Sequence, residues 1–274
     1  MKEFLGWGGY TRPVEGFLSW QHILFVTSLM AVMTALAIFL GKRNRFADEK
    51  KKNRVLIWTA IAMDGIELVK IVVFCFRAHD PFEWIYSLPL FLCSIQLITI
   101  PLAAFSKGIV KEAALDFILI FGLLGAVAGT YGAAQLYGVF PVLSVDTVVS
   151  GITHAISGFA TLYIAISGLT SLKKKNVPIT FAILFFFCIA AYITNQFIDF
   201  NYMFLTRGGG TPYDVLYNLV GGDPVLYPLG VVALFLLYIS VFYLIRHFVL
   251  KRRARKLSAT ESIAKEEAPE QATV

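Results

Sequence analysis

Residues 21–40 read QHILFVTSLMAVMTALAIFL, and residues 41–54, directly behind them, read GKRNRFADEKKKNR. The first stretch is twenty residues without a full charge, the length an α-helix needs to cross the hydrocarbon core of a bilayer. The second holds seven Lys and Arg, the kind of loop that stays on the cytoplasmic side. An apolar run of bilayer length followed by a short basic cluster repeats along the chain. Seven stretches have bilayer length, and basic clusters follow every other one: Gln21–Leu40, Val55–Phe76, Ile85–Phe105, Ala113–Ala133, Val148–Thr170, Ile179–Phe200 and Val225–Leu250. The expected fold is an all-α, polytopic membrane bundle of seven helices.

Composition agrees. Of 274 residues, 57% are hydrophobic and 15% charged, against ~25% charged in a soluble domain. This excludes a soluble enzyme, a disordered chain and a disulfide scaffold. The net charge of +6 does not point to nucleic acid, because the cations are short clusters between apolar runs. Seventeen of them lie in 41–54, 107–111, 173–175 and 251–256, against Lys2, Arg12, Arg77 and Arg207 on the other side. That asymmetry predicts an outside N-terminus, a cytoplasmic C-terminus and a multi-pass protein of the cell membrane. Residues 1–20 lack a basic n-region and a cleavage site, so no signal peptide is expected there. Trp7, Tyr10, Phe17 and Trp20 make this segment interfacial. Residues 251–274 turn from basic to acidic, as a disordered cytoplasmic tail does.

Ionisable and polar residues inside apolar runs are costly and therefore informative. Asp64, Glu67 and Lys70 follow one another at three-residue spacing and share a helix face; Glu67 and Lys70 are placed to pair. Cys93 and Gln96 lie in a run broken by Pro89 and Pro101. Pro89 leaves the carbonyl of Ile85 without its helical partner, as Pro101 does for Leu97, so this helix should be kinked toward a polar interior. His154 sits in a stripe of Ser150, Gly151, Ser157, Gly158 and Thr161, a surface on which another helix can approach closely. Asn195, Gln196, Asp199, Asn201 and Tyr202 gather at the end of the sixth run.

Depth unites these groups. At a rise of ~1.5 Å per residue, Cys93 lies about 12 Å, His154 about 9 Å, Asn195 about 8 Å and Glu67 about 13 Å from the outer ends of their runs. Four runs thus place polar groups in one half of the membrane, which predicts a single cavity opening outward. The expected polar wall is Glu67, Lys70, Gln96, Asn195, Asp199, Asn201 and Tyr202. Cys75 and Cys188 read as small hydrophobes. No metal or other cofactor is expected. Membrane lipids are the expected partners, and nucleic acid is not.

The string Leu-Pro-Leu-Phe-Leu-Cys-Ser at 88–94, His154, and Asn-Tyr-Met-Phe-Leu at 201–205 with the Gly/Pro-rich loop behind it resemble the YwaF and transmembrane protein 164 family. The resemblance runs from the third stretch to the seventh. It implies an integral membrane protein and, by way of eukaryotic members described as lipid acyltransferases with an essential cysteine in this string, Cys93 as nucleophile and His154 as its base. The competing readings of the same polar residues are a small-solute or proton-coupled transporter, and a receptor or structural membrane protein.

Overall fold

The computed structural model describes residues 1–169 and 172–266, with side chains through Arg252. Among these residues every regular element is helical: α1 (Lys2–Leu5), α2 (Trp20–Asn44), α3 (Glu49–Ala78), α4 (Gln96–Phe105), α5 (Gly108–Tyr131), α6 (Ala134–Tyr137), α7 (Val145–Ser167), α8 (Val177–Phe197), α9 (Tyr213–Leu219) and α10 (Leu226–Glu266). Short 3-10 turns at Glu83–Ser87, Lys174–Asn176 and Tyr202–Phe204 link them. The chain divides into two compact units, residues 1–232 and 233–274. The second is the continuation of α10, helical through Glu266, into the stretch for which composition suggests a disordered tail. Residues 267–274 lie outside the described part.

Helix ends follow local chemistry. Ser19 and Asp48 cap α2 and α3 by accepting from His22 N and Lys51 N. Ser144 and Thr147 form a reciprocal capping box at α7, whose far end stops at Gly168 in the left-handed region, a conformation glycine adopts at no steric cost. Five helices are long and apolar enough to cross a membrane: Trp20–Asn44, Gly108–Tyr137, Val145–Ser167, Lys174–Phe197 and Leu226–Arg252. They expose large apolar side chains such as Phe39, Phe186 and Leu229, a surface made for lipid rather than water.

Two of the seven expected stretches depart from that pattern. α3 is 30 residues long, but its apolar part carries Asp64, Glu67 and Lys70. The stretch 85–105 is not one kinked helix: a 3-10 turn ends at Ser87, the backbone leaves helical geometry through the prolyl segment, and α4 covers only its last ten residues. The break comes at Pro89, which has no N–H to give to a helical ladder. Pro101, in contrast, is tolerated inside α4.

α5 and α7 form the centre of the first unit, with α2, α3 and α4 packed around them. Leu56, Ala60 and Met63 of α3 meet Ile100 and Ala103 of α4, Leu115 and Ile118 of α5, and Tyr163 and Ile164 of α7 in one buried core. The small-residue stripe of α7 lets its neighbours close in. A Cβ on Gly158 would stand 2.8 Å from Ala126 and 3.0 Å from Met33, and one on Gly122 would stand 2.2 Å from Thr161 Oγ1.

Polar ties fix which helix ends lie together. At one end Lys111 of α5 reaches Glu49 and Asn53 of α3, both at 2.9 Å. Asn53 donates to Ala104 O, and Tyr163 donates to Lys52 O while accepting from Asn44. At that end Lys173 and Lys175 pair with Glu112, and buried Asp116 accepts from Asn176 at 2.9 Å. At the other end His22 donates to Thr130 O, and Arg77 forks onto Asp146. The basic stretches around 42–54, 107–111 and 173–175 therefore share one end of the bundle. The stretch 85–105 carries the chain from the opposite end back to it.

Candidate active site

One cavity of about 170 Å³ opens between α3, the prolyl segment and α7. Its lining brings together four residues singled out in the sequence, Glu67, Lys70, Cys93 and His154, with Met63, Tyr86, Phe91, Ser94, Ser150, Thr153 and Ser157 among the others.

His154 is held from below. Its Nδ1 lies 2.7 Å from Ser150 O, one turn back on α7. A carbonyl can only accept, so Nδ1 carries the proton and Nε2 presents its lone pair. Nε2 is buried and completes no hydrogen bond of normal geometry. The Cys93 thiol stands beside the ring and interacts with it directly. Both groups rest on α5. A Cβ on Gly129 would stand 2.1 Å from His154 Nε2, and one on Gly125 would stand 3.1 Å from Cys93 Cβ. These two glycines, one helical turn apart, are the floor under the thiol and the imidazole.

Cys93 lies two residues ahead of the N-cap of α4. Its turn is braced by Ser94, whose hydroxyl donates to Phe91 O and accepts from Phe91 N. The sulfur also interacts with the backbone of Cys93 and Ser94. Backbone N–H groups at the start of a helix favour negative charge there. A thiol next to an imidazole nitrogen with a lone pair is chemistry suited to nucleophilic attack on a carbonyl.

Glu67 and Lys70 form an ion pair on the cavity wall, the side chains 11% and 17% exposed, and Lys70 lies 5.6 Å from the ring centre of Phe74. Asp64, on the same helix, is outside the lining, and its Oδ1 is buried without a hydrogen bond.

The remaining expected wall residues are elsewhere. Gln96 is fully buried, with Oε1 accepting from Thr99 and Nε2 unpartnered, but it does not reach the cavity. Asn195 is committed to the backbone of Tyr202, accepting from its N at 2.8 Å and donating to its O at 3.0 Å. Asn201 closes the following turn on Thr206 and Arg207. Tyr202 is buried behind the prolyl segment. Asp199 is corrected outright: α8 ends at Phe197, and the Asp199 side chain is 95% exposed near Arg207. Cys188 is buried against Met203 Sδ at 3.6 Å, and Cys75 sits near Pro81 O; neither lines the cavity.

Sequence reasoning missed the brace above the cavity. Arg77 makes two bonds to Asp146, at 2.7 and 2.8 Å, and donates to the Tyr10 hydroxyl, which itself donates to Asp146. Arg77 also lies 4.5 Å from the ring centre of Phe74. The available signal was Ser144-Val-Asp-Thr147, a capping pattern with an acid in the first turn.

The helices and this cavity define an integral, multi-pass membrane protein with a thiol and an imidazole enclosed among its helices. The chain belongs to the TMEM164 family, whose model matches residues 17–250. No curated protein and no solved structure matches it.

Proposed function

We propose that the protein is a lipid acyltransferase with Cys93 as nucleophile and His154 as general base. The observation that carries this reading is the His154 ring itself: Nδ1 is tied to Ser150 O, so the unpartnered Nε2 beside Cys93 is the basic nitrogen. Nε2 takes the thiol proton as sulfur attacks the ester carbonyl of a donor lipid. The amides of Cys93 and Ser94 receive the developing oxyanion. The ester C–O bond breaks, the departing oxygen takes the proton from His154, and the acyl chain remains as a thioester. An acceptor hydroxyl then gives its proton to Nε2 and attacks the thioester; the sulfur leaves and recovers the proton. Membrane lipids are donor and acceptor, and no cofactor enters the scheme.

The topology belongs to the same proposal. α3, at ~1.5 Å per residue about 45 Å long, and the broken stretch 85–105 are the second and third of seven crossings. Non-helical backbone at membrane depth is tolerated where it lines a cavity rather than lipid, and the prolyl segment meets that condition. Basic loops on one end make that end cytoplasmic in the cell membrane. The cavity then opens toward the outer leaflet.

The test is an alkylating lipid probe on the purified, membrane-reconstituted protein, with lipid analysis of cells carrying each variant. Cys93 should be labelled ahead of Cys75 and Cys188, His154→Ala should slow it, and Cys93→Ala should abolish any change in acyl composition. Equal labelling of all three cysteines, or unchanged lipids together with altered solute uptake, would replace this reading with a transporter.

A further inference from the structure

We propose that Tyr202, which never touches the cavity, is the positioning residue of the Cys93 turn, its hydroxyl anchoring the backbone that leads into Pro89 and so fixing where the thiol stands against His154. The inference rests on the nucleophile reading above and adds a residue to it.

Two bonds of one hydroxyl carry the argument. Tyr202 Oη donates to Ile85 O and accepts from Leu88 N at 3.1 Å. Ile85 O is the carbonyl for which Pro89 has no proton to offer. A carbonyl without its helical partner needs another donor, and here a tyrosine supplies it. The same hydroxyl accepts from the N–H of Leu88, the residue directly before the proline. Two backbone groups just ahead of Pro89 are thereby pinned to one atom, and Leu88 stands five residues ahead of the nucleophile.

Tyr202 is itself immobilised. It is fully buried, and the Asn195 amide grips its backbone N–H and C=O together. The chain then turns through Met203 and Phe204, at φ of 54° and 57°. Left-handed backbone at non-glycine residues is costly and persists where surrounding contacts impose it. The side chains repeat the tie: the ring of Phe91, two residues before Cys93, lies 5.2 Å from Tyr202 and 5.7 Å from Phe204. The strings 88–94 and 201–205, distant in sequence, are thus one mechanical unit. One bears the thiol and the other holds it in place.

The experiment follows alkylation of each cysteine by N-ethylmaleimide in the reconstituted full-length protein, resolved by mass spectrometry. Tyr202→Phe should slow Cys93 by about tenfold to a hundredfold, since a misplacement of ~1 Å can cost about a hundredfold, while Cys75 and Cys188 keep their rates. Asn195→Ala, which frees the Tyr202 backbone but keeps the hydroxyl, should slow Cys93 in the same sense and serves if the first variant folds poorly. Tyr137→Phe removes a buried hydroxyl that bonds nothing and should change none of the three rates. The deciding readout is coupling: with His154→Ala already present, Tyr202→Phe should cause little further loss, because both act on one thiol–imidazole contact. Additive losses, a parallel change at all three cysteines, or a Cys93 rate equal to wild type in both Tyr202→Phe and Asn195→Ala would overturn the inference and leave the nucleophile reading standing. A wild-type Cys93 no faster than Cys75 and Cys188 would overturn both.

Discussion

Gly129 lies directly beneath the His154 ring, so close that a methyl group on its Cα would stand 2.1 Å from both Cδ2 and Nε2. The imidazole can occupy its place only because α5 has no side chain there. Gly129→Ala must therefore push the ring off its seat. The expected outcome is a folded protein destabilised by ~1–3 kcal/mol, the usual range for overpacking, with Cys93 alkylation slowed to nearly the His154→Ala level. Thermal unfolding and site-resolved labelling measure the two effects separately. A Gly129→Ala protein that labels like wild type would mean that the ring position does not matter to the thiol.

Glu67 and Lys70 should depend on each other. Removing one partner of a buried pair leaves an unpaired charge and costs ~3–5 kcal/mol. Lys70→Met should therefore lower folded yield more than Lys70→Met combined with Glu67→Gln does. Size-exclusion recovery of the variants decides it, and equal losses would show that the two charges are not coupled.

Arg77 and Asp146 make the tighter brace, with the Asp146 side chain only 3% exposed. Arg77→Met should cost ~3–5 kcal/mol for the stranded carboxylate. Tyr10 adds a pH limb. Burial, then the hydrogen bond to Asp146, pushes its phenol up to about 12 from 10.0. The folded protein thus holds this proton more tightly than the unfolded chain. Its stabilising effect is complete below pH 10 and is lost as pH rises toward about 12. Alkaline unfolding curves of wild type and Tyr10→Phe should differ in that window, and curves that run parallel through it would refute the assignment.

Orientation is open to direct measurement. A reporter fused after residue 274 should behave as cytoplasmic, and a tag within 206–224 should be reachable from outside intact cells. Protection of that loop tag from an impermeant reagent would invert the arrangement.

The helical bundle was legible because lipid is a demanding solvent. It requires runs of fixed length, and loop charge sorts the ends. Cys93, His154, Glu67 and Lys70 were legible for a related reason: polar groups inside apolar runs need company, and here they keep each other's. The break at Pro89 was foreseen as a kink, but not as a loss of helix, because the bonds that make non-helical backbone affordable come from Tyr202, 114 positions beyond Leu88. Asp199 was misplaced because the apolar run was read through Phe200, whereas α8 stops at Phe197. Arg77 and Asp146 sit at helix ends, where charge is cheap and carries little information on its own. Gly125 and Gly129 carry no signal of their own in sequence, because only the residues resting on them set them apart.

The tie between Tyr202 and the prolyl segment also bears on how the protein is made. The cysteine leaves the ribosome long before the tyrosine that steadies it, and α8 must enter the membrane before Asn195 and Tyr202 can dock. Until then Ile85 O and Leu88 N lack their native partner, and the turn that aims the thiol is unfinished. A nascent or truncated chain ending before residue 202 would carry Cys93 and His154 without the geometry that joins them. On the reading proposed above, the thiol would gain its chemistry only after most of the polypeptide has been made, and the growing chain would not present a primed nucleophile to lipid.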